Sequence, residues 1–305
     1  MQIALIGLGK MGFNLGMNMH RNKHEVLAFD LNQQTLESIK EKGIATADSI
    51  ETLVHAFREK TIIWLMIPAG RAVDLTIQEL VPLLRAGDIL IDGGNSNYKD
   101  SMRRAKELEA KGIDFLDCGT SGGMDGALNG VCAMIGGKKE AFSHCESLFK
   151  DISVPEGYLY CGPSGAGHFV KMIHNGIEYG MMQSIAEGFE ILHKSEFNLD
   201  LESVAGVWNH GSVVRSWLME LTENALSKDA KLDGIKGIMH SSGEGKWTLE
   251  TALEKQIATP VIALSLLMRY RSLQDDTFSG KIIAALRNEF GGHAVEPAAQ
   301  KPGRS

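Results

Sequence analysis

Short apolar runs alternate with helical patterns through the first half of the chain and then stop. The runs lie at residues 3–6, 26–29, 62–67, 89–91, 115–116, 131–135 and 158–160, and apolar side chains recur at helical spacing over residues 36–42, 72–84, 101–111 and 140–149. Such alternation is typical of βαβ units, in which successive strands run parallel and helices cover the sheet. A mainly parallel sheet is therefore expected.

A glycine-rich turn follows the first of these runs. Gly7-Leu8-Gly9-Lys10-Met11-Gly12 joins a strand to a helix, and Asp30 ends the second strand. In this setting Gly7 makes the turn, Gly9 lets a pyrophosphate approach the backbone, and Gly12 lets helix and strand pack closely. A carboxylate at residue 30 would accept hydrogen bonds from ribose hydroxyls and repel a 2′-phosphate, so NAD is favoured over NADP. Asp30 would equally serve as a helix cap.

The strand signal ends at Cys161-Gly162-Pro163-Ser164-Gly165, and only helical periodicity follows, beginning with one long helix over residues 166–193. The expected fold class is α/β: a Rossmann-type, doubly wound, mainly parallel sheet followed by an all-helical domain. We expect residues 1–163 to bind the dinucleotide and residues 164–294 to serve substrate binding and oligomerisation. Residues 295–305 are predicted to be a disordered tail.

The overall composition limits the classes of function. The chain has 305 residues, 44% of them hydrophobic, and a formal net charge of -7. Nucleic acid is therefore not an expected partner, because binding its phosphates needs a concentrated basic face. No apolar run reaches membrane-spanning length, and the amino terminus shows no signal-peptide pattern. The cysteines lack metal or redox spacing, so we expect a cytoplasmic protein with reduced thiols.

One predicted helix carries an unusual polar stripe. Lys171, Asn175 and Glu178 stand at i, i+4 and i+7, with His174 beside them, so an amine, an amide and a carboxylic acid share one face. A lysine and a glutamate at this spacing are, taken alone, most often a solvated surface pair. A lysine acts as a base only where burial or a nearby positive charge lowers its pKa.

Two further glycine-rich segments end predicted strands at the edge where doubly wound sheets bind ligands. They are Asp92-Gly93-Gly94-Asn95-Ser96-Asn97-Tyr98 and Gly119-Thr120-Ser121-Gly122-Gly123-Met124-Asp125-Gly126-Ala127. Each offers backbone N–H groups, hydroxyls and little bulk, which suits a polyhydroxylated carboxylate ligand. Tight turns would explain either segment alone.

Taken together, these residues closely resemble the decarboxylating 6-phosphogluconate dehydrogenases, within the wider β-hydroxyacid dehydrogenase family. The matching pieces run in the expected order along nearly the whole chain: residues 7–12, 68–74, 92–98 with Arg103-Arg104, 121–123, 171–179, 245–248, and Arg287 to His293. The chain lacks a duplicated helical half, so it resembles the short, often NAD-preferring branch. Its Asp30-Leu31-Asn32 differs from the Asn-Arg-Ser/Thr pattern of NADP-using members.

The resemblance implies a role for each matching residue. Lys171 matches the base that takes the C3 hydroxyl proton, Glu178 the acid that protonates C1 of the enediol, and Asn175 and His174 the residues that hold substrate hydroxyls and orient the lysine. Binding of the substrate carboxylate and C2–C3 region, next to the nicotinamide, is implied for Ser121, Gly122, Gly123 and Asn95. Sugar-phosphate ligands are implied at Tyr179, Lys246, one of Arg269 or Arg271, and, from a neighbouring subunit, Arg287 and His293.

The expected activity is therefore oxidation and decarboxylation of 6-phosphogluconate with NAD and without a metal, in a homodimer or homotetramer that shares its active sites. Two other readings remain. A sister β-hydroxyacid dehydrogenase, acting on 3-hydroxyisobutyrate or tartronate semialdehyde, needs neither the phosphate ligands nor Glu178. A non-catalytic NAD-binding sensor would not need Lys171.

Overall fold

A computed structural model describes residues 1–297 and places a single sheet in the amino-terminal part of the chain. The strands are β1 (Gln2–Ile6), β2 (Glu25–Phe29), β3 (Ala45–Thr46), β4 (Ile62–Leu65), β5 (Ile89–Asp92), β6 (Asp114–Ser121), β7 (Val131–Gly137) and β8 (Ser153–Gly162). Their order in the sheet is β3-β2-β1-β4-β5-β6-β7-β8. Among these described strands, only β6 and β7 pair antiparallel. Residues 122–130 join them, which is fewer than the roughly dozen residues that a parallel crossover needs.

Among the described residues, one helix lies between each pair of consecutive strands, and helices make up the regular structure after the last strand. Those of the sheet region are α1 (Lys10–Arg21), α2 (Gln33–Lys40), α3 (Ile50–His55), α4 (Arg71–Leu80), α5 (Tyr98–Glu109), α6 (Gly123–Asn129) and α7 (Lys139–Ile152). The later ones are α8 (Ala166–His193), α9 (Leu201–Asn209), α10 (Trp217–Lys228), α11 (Gly243–Glu254), α12 (Pro260–Ser272) and α13 (Phe278–Gly291). The predicted α/β fold class, with a mainly parallel sheet followed by helices, is confirmed.

Both faces of the sheet are buried. In β1, Ile3 and Leu5 join one apolar cluster while Ala4 and Ile6 join the other, and β4 divides its residues between the two clusters in the same way. Successive side chains of a strand point to opposite faces. Since helices cover each face, every position must be apolar, and the strands therefore read as continuous apolar runs.

The chain divides into two compact units. One comprises Met1–Glu178 and Gly243–Ala258, and the other comprises Tyr179–Ser242 and the described residues from Thr259 onward. The sequence predicts a domain boundary at residues 163/164, where the strands end, whereas the compact units divide within α8. The first half of α8 belongs with the sheet because Gly167 packs directly on the backbone of β6 and β7.

The second unit has a small core of its own. Ala205, Met219 and Leu226 are buried there, and Phe189 meets Trp208 edge to face with ring centroids 5.7 Å apart. Among the described helices, none combines the length and apolarity that a bilayer crossing requires. Of the predicted tail at 295–305, residues 298–305 lie outside the described residues.

Candidate active site

The glycine-rich turn between β1 and α1 has the geometry of a phosphate-binding loop. Gly7 has a φ of 97°, which favours glycine. A Cβ at Gly12 would collide with the Gly7 carbonyl, whereas one at Gly9 would meet no atom within 4 Å. The surface at the carboxyl end of β1 is therefore formed by backbone rather than by side chains. The helix α1 begins at this surface with Lys10 and Met11. These residues fit a dinucleotide pyrophosphate.

Asp30 is tied to the same turn. Its Oδ2 accepts a hydrogen bond from Leu8 N–H (2.6 Å), and its Oδ1 accepts one from Asn32 N–H (2.8 Å). The cap of α2 is Asn32, whose side chain accepts from Thr35 N–H. Asn32, and not Asp30, therefore caps α2. A carboxylate oxygen accepts more than one hydrogen bond, so both oxygens of Asp30 retain capacity for ribose hydroxyls.

A buried ion pair shapes the loop after β5. Arg104, 1% exposed, donates to Asp92 Oδ2 (3.2 Å), to Asp74 Oδ1 (2.8 Å) and to the Gly70 carbonyl (3.0 Å). Burial alone would raise the pKa of Asp74. Hydrogen bonds from Arg104 and, to a smaller extent, from Arg103 hold this pKa below its ordinary value. Arg104 thereby fixes two loops at once, the one after β4 and the one after β5.

The loop after β5 presents Asn95. Asp92 accepts from Gly94 N–H and from Ser96 Oγ, so the turn closes around its carboxylate. Asn95 has a φ of 53° and exchanges two hydrogen bonds with the backbone of Thr120, at 3.0 and 3.3 Å. The side-chain amide of Asn95 is therefore hydrogen-bonded to the backbone of the residue that precedes Ser121.

The segment after β6 places Ser121 at the edge of the polar stripe. Gly122 adopts a left-handed conformation with a φ of 117°, and Gly123 begins α6 with its surface exposed. Ser121 Oγ lies 3.3 Å from His174 Nε2. The glycine-rich segment at residues 119–127 therefore lies against the predicted catalytic helix α8.

Buried polar contacts hold the first turn of α8 against β6. Asp117, fully buried, accepts from Gly165 N–H (2.6 Å) and His168 N–H (2.8 Å). A carboxylate at this point satisfies donors that a helix leaves unpaired at its amino end. One turn later, a Cβ at Gly119 would collide with Lys171 Cβ. The strand and the helix are therefore fitted to each other around Lys171.

The polar stripe of α8 is a connected cluster. Lys171 is only 5% exposed, and its Nζ lies 2.7 Å from Asn175 Oδ1 and 3.4 Å from His174 Nδ1. His174 Nδ1 is also 3.8 Å from Glu178 Oε2. Burial lowers the pKa of Lys171, while the negative charges of Glu178 and Glu244 act in the opposite direction. A solvated surface pair is excluded for Lys171 by its burial.

The sequence predicts no role for three residues of the sheet-containing unit. They are Arg104, Asp117 and Glu244. The residue pair Arg103-Arg104 was visible as a motif, but nothing in the spacing distinguished the buried arginine from the exposed one. Asp117 lies inside an apolar strand, where a carboxylate is unusual, and this was the available signal.

Of the two candidate arginines, the structure brings Arg269 to Tyr179. The Arg269 guanidinium lies 3.6 Å from the centre of the Tyr179 ring and donates to the His240 carbonyl. Arg271 instead donates to the Gln274 carbonyl just beyond α12. The Tyr179 hydroxyl lies 3.1 Å from Ser242 Oγ.

Other predicted phosphate ligands lie on exposed surfaces of the chain. Lys246 pairs with Glu250 at 3.5 Å on α11. Arg287 and His293 are both exposed, at the end of α13, a helix without a buried residue. His293 N–H reaches the Arg287 carbonyl at 3.4 Å, so the two residues are neighbours. Within residues 1–297, no group of three His, Cys, Asp or Glu side chains has the arrangement of a metal site.

Comparison with known proteins gives the family. The chain matches two family models, the NAD binding domain of 6-phosphogluconate dehydrogenase over residues 2–162 and the C-terminal domain of 6-phosphogluconate dehydrogenase over residues 167–281. The Bacillus subtilis protein YqeC, whose name assigns it provisionally to these dehydrogenases, is 57% identical over 97% of this chain and 99% of its own. The NAD(+)-dependent, decarboxylating 6-phosphogluconate dehydrogenase of Haloferax volcanii is 43% identical over 97% of this chain and 98% of its own.

A solved structure agrees. The 6-phosphogluconate dehydrogenase of Plasmodium falciparum, studied alone, with its cofactor NADP+ and with its substrate 6-phosphogluconate, superposes with a TM-score of 0.84 at 31% identity. The match covers 98% of this chain and 67% of that one. On the family models, the relatives and the shared fold, the chain belongs to the 6-phosphogluconate dehydrogenase family.

Proposed function

We propose that the protein oxidises and decarboxylates 6-phosphogluconate to ribulose 5-phosphate and carbon dioxide, with NAD as the cofactor. The observation that carries this proposal is the buried Lys171 amine, hydrogen-bonded to Asn175, beside His174 and near Glu178. Membership of the family supports it. Burial lowers the pKa of Lys171, and a lowered pKa is what a lysine needs in order to act as a general base.

The first step belongs to Lys171. Its neutral amine takes the proton of the C3 hydroxyl, so that a carbonyl forms at C3. Bound NAD would supply the chemistry of accepting the hydride that leaves C3. The Asn175 amide oxygen orients the amine, and Ser121 and Asn95 are proposed to hold the carboxylate end of the substrate.

The second step needs only the carbonyl that the first has made. A carbonyl at C3 is β to the carboxylate, so the electrons of the C1–C2 bond move towards the C3 oxygen as carbon dioxide leaves. The Lys171 ammonium returns its proton to that oxygen, which gives an enediol. No metal is required, because the carbonyl itself accepts the electron pair.

Glu178 completes the reaction. Its carboxylic acid protonates the carbon that lost carbon dioxide while Lys171 takes the remaining hydroxyl proton, which gives the ketone. Lys171 then holds the proton that Glu178 has lost. His174 Nδ1, 3.4 Å from the amine and 3.8 Å from the Glu178 carboxylate, is placed to return it.

The proposed cofactor preference and the proposed oligomer rest on residues outside the polar stripe. Asp30 favours NAD, since its carboxylate would repel a 2′-phosphate, and residues 31–34 contain no cation to offset it. Arg287 and His293, exposed on one chain, are proposed to complete the phosphate site of a neighbouring subunit in a cytoplasmic homodimer or homotetramer. Lys246, Tyr179 and Arg269 are proposed as the ligands from the same chain.

The test uses purified protein and NAD with 6-phosphogluconate and, separately, 3-hydroxyisobutyrate, while NADH and released carbon dioxide are measured. We expect equal amounts of NADH and carbon dioxide from the first substrate. Turnover of 3-hydroxyisobutyrate alone would reject the proposal in favour of a sister dehydrogenase. A kcat/KM for NADP above that for NAD would reject the role of Asp30.

A further inference from the structure

His168 is a buried residue in the first turn of α8 that takes no part in the proposed reaction steps. Its side chain is enclosed, with 1% of the residue exposed, and its Nδ1 lies 2.8 Å from the hydroxyl oxygen of Ser101, a fully buried residue of α5. Within residues 1–297, the other ring nitrogen, Nε2, has no hydrogen-bond partner. The polar contact of this ring is therefore directed at Ser101 alone.

Ser101 lies at the end of the first turn of α5, shortly after the loop that presents Asn95. Its backbone N–H donates to the carbonyl oxygen of Asn97 (3.1 Å), the residue that caps α5. One turn further along the helix, Arg104 donates to Asp92 at the end of β5 (3.2 Å). The loop after β5 and the amino end of α5 are thus fixed to each other.

His168 is fixed in the same way to the helix that carries the polar stripe. Its backbone N–H donates to the buried carboxylate of Asp117 (2.8 Å). Lys171 follows three residues later, which places the two side chains as neighbours on the surface of α8. The hydrogen bond between Ser101 and His168 therefore connects the loop proposed to hold the substrate carboxylate with the helix that carries the proposed base.

Apolar contacts also join α5 to the start of α8. Tyr98 meets Phe169 edge to face with ring centroids 5.0 Å apart, and a Cβ at Gly165 would come within 2.7 Å of Met102 Cγ. Apolar attraction is non-directional, so it holds two helices together without fixing how far one is shifted along the other. A hydrogen bond has a preferred distance and angle, and a buried one can fix that shift.

We propose that His168 is a positioning residue, which through Ser101 sets the distance between the loop after β5 and the Lys171 amine; this rests on the proposed function. The hydride leaves C3 while the proton leaves its hydroxyl group, so the base, the substrate and the cofactor must be aligned together. A misplacement of about 1 Å can slow an aligned reaction roughly 100-fold. His168 acts by holding two elements of the fold in register, and not by touching the reacting atoms.

The test measures the rate constant for NADH formation in a single turnover, with enzyme in excess over 6-phosphogluconate. At saturating enzyme this rate constant does not depend on the fraction of chains that are folded, so it separates positioning from a loss of structure. We expect His168→Leu and Ser101→Ala each to lower it by about tenfold to 100-fold. The double variant should be no slower than the slower single variant, because both changes remove the same hydrogen bond.

Conservative variants and surface controls accompany these changes. His168→Asn and Ser101→Thr keep a hydrogen-bonding group at each end and should recover most of the lost rate. His144→Leu changes an exposed histidine of α7, and Ser38→Ala changes an exposed serine of α2 whose hydroxyl also donates to the carbonyl oxygen four residues earlier. Both controls should behave as wild type. Ser101→Ala decides the question alone if His168→Leu does not fold.

Each contrary result has its own meaning. A wild-type protein that does not oxidise 6-phosphogluconate would reject the proposed function and this role with it. An active wild type whose His168→Leu and Ser101→Ala variants keep the rate constant within about twofold would reject the role of His168 alone. A lower unfolding midpoint with an unchanged rate constant would show that the pair is only structural. Equal losses in His168→Asn and His168→Leu would show that the volume of the ring matters and its hydrogen bond does not.

Discussion

The two ends of α8 differ in how far the chain encloses them. At the first end, Lys171 and Met172 are 5% and 2% exposed, and glycines of β6 and β7 let the helix pack on the sheet. Towards the second end, Met181 and Ile191 are 42% and 72% exposed. The Lys171 amine, proposed as the general base, is therefore enclosed by the core of one chain. The helical unit has only a small core, and its predicted phosphate ligands Arg287 and His293 are at the surface.

The largest expected effect comes from the enclosed end. Lys171→Met should lower kcat by roughly 10²- to 10⁴-fold, because a positioned general base is lost. Steady-state kinetics with 6-phosphogluconate measure this. Lys194→Met, on an exposed lysine just after α8 that pairs with Glu190, is the matched control and should keep wild-type kinetics. Near-normal turnover of Lys171→Met would show that the enclosure of this lysine has no catalytic purpose.

The same substitution should have the opposite effect on stability. Burial lowers the folded-state pKa of Lys171 below the unfolded value of about 10.4. Between these two pKa values the unfolded chain binds more protons, so the free energy of unfolding rises with pH across that window. The stability cost is fully present below the folded pKa. Lys171→Met should therefore raise the unfolding midpoint at neutral pH, and the gain should vanish as pH approaches 10.4; a lower midpoint at neutral pH would contradict the sign.

A third prediction tests whether the stability of the sheet-containing unit depends on the buried ion pairs of Arg104. Arg104→Met leaves the fully buried Asp92 without its cation and should cost about 3–5 kcal/mol of unfolding free energy. Arg103→Met is the control, because Arg103 is exposed and its pairs with Asp74, Asp100 and Glu107 are at the surface, where such pairs contribute about 0–1 kcal/mol. Denaturant unfolding measures both. Equal losses in the two variants would remove the distinction between the buried and exposed arginines.

The contrast between these two arginines also shows what the sequence could and could not predict. The strands and the helix at 166–193 were predictable, because continuous apolar runs and helical periodicity follow directly from burial. The two-residue strand β3 was missed, since Ala45 and Thr46 are too few to form a pattern. Arg104, Asp117 and Glu244 were missed for another reason. Their partners or neighbours lie on other elements of the fold, as Asp117 with His168 shows, and local spacing carries no information about such pairs.

Mixing subunits of two variants tests whether the exposed Arg287 and His293 act in the site of a neighbouring subunit. Lys171→Met and Arg287→Ala should each be poorly active alone. If Arg287 and His293 complete a neighbour's site, a mixed dimer has one site with both residues intact, so co-refolding the two variants should restore about one quarter of wild-type activity by random pairing. Activity no higher than the sum of the separate variants would place Arg287 in the site of its own chain. The size of the oligomer, measured by light scattering, fixes the pairing statistics.

The smallest expected effect distinguishes two residues within the helical unit. Arg269 stacks on Tyr179, whereas Arg271 donates to a carbonyl just beyond its own helix. A lysine cannot reproduce a planar guanidinium on a ring or its paired donors, so Arg269→Lys should raise the KM for 6-phosphogluconate several-fold with little change in kcat. Arg271→Lys should change KM less than twofold. An equal rise in both variants would mean that stacking on Tyr179 does not select the ligand, because the two guanidinium groups would then matter alike.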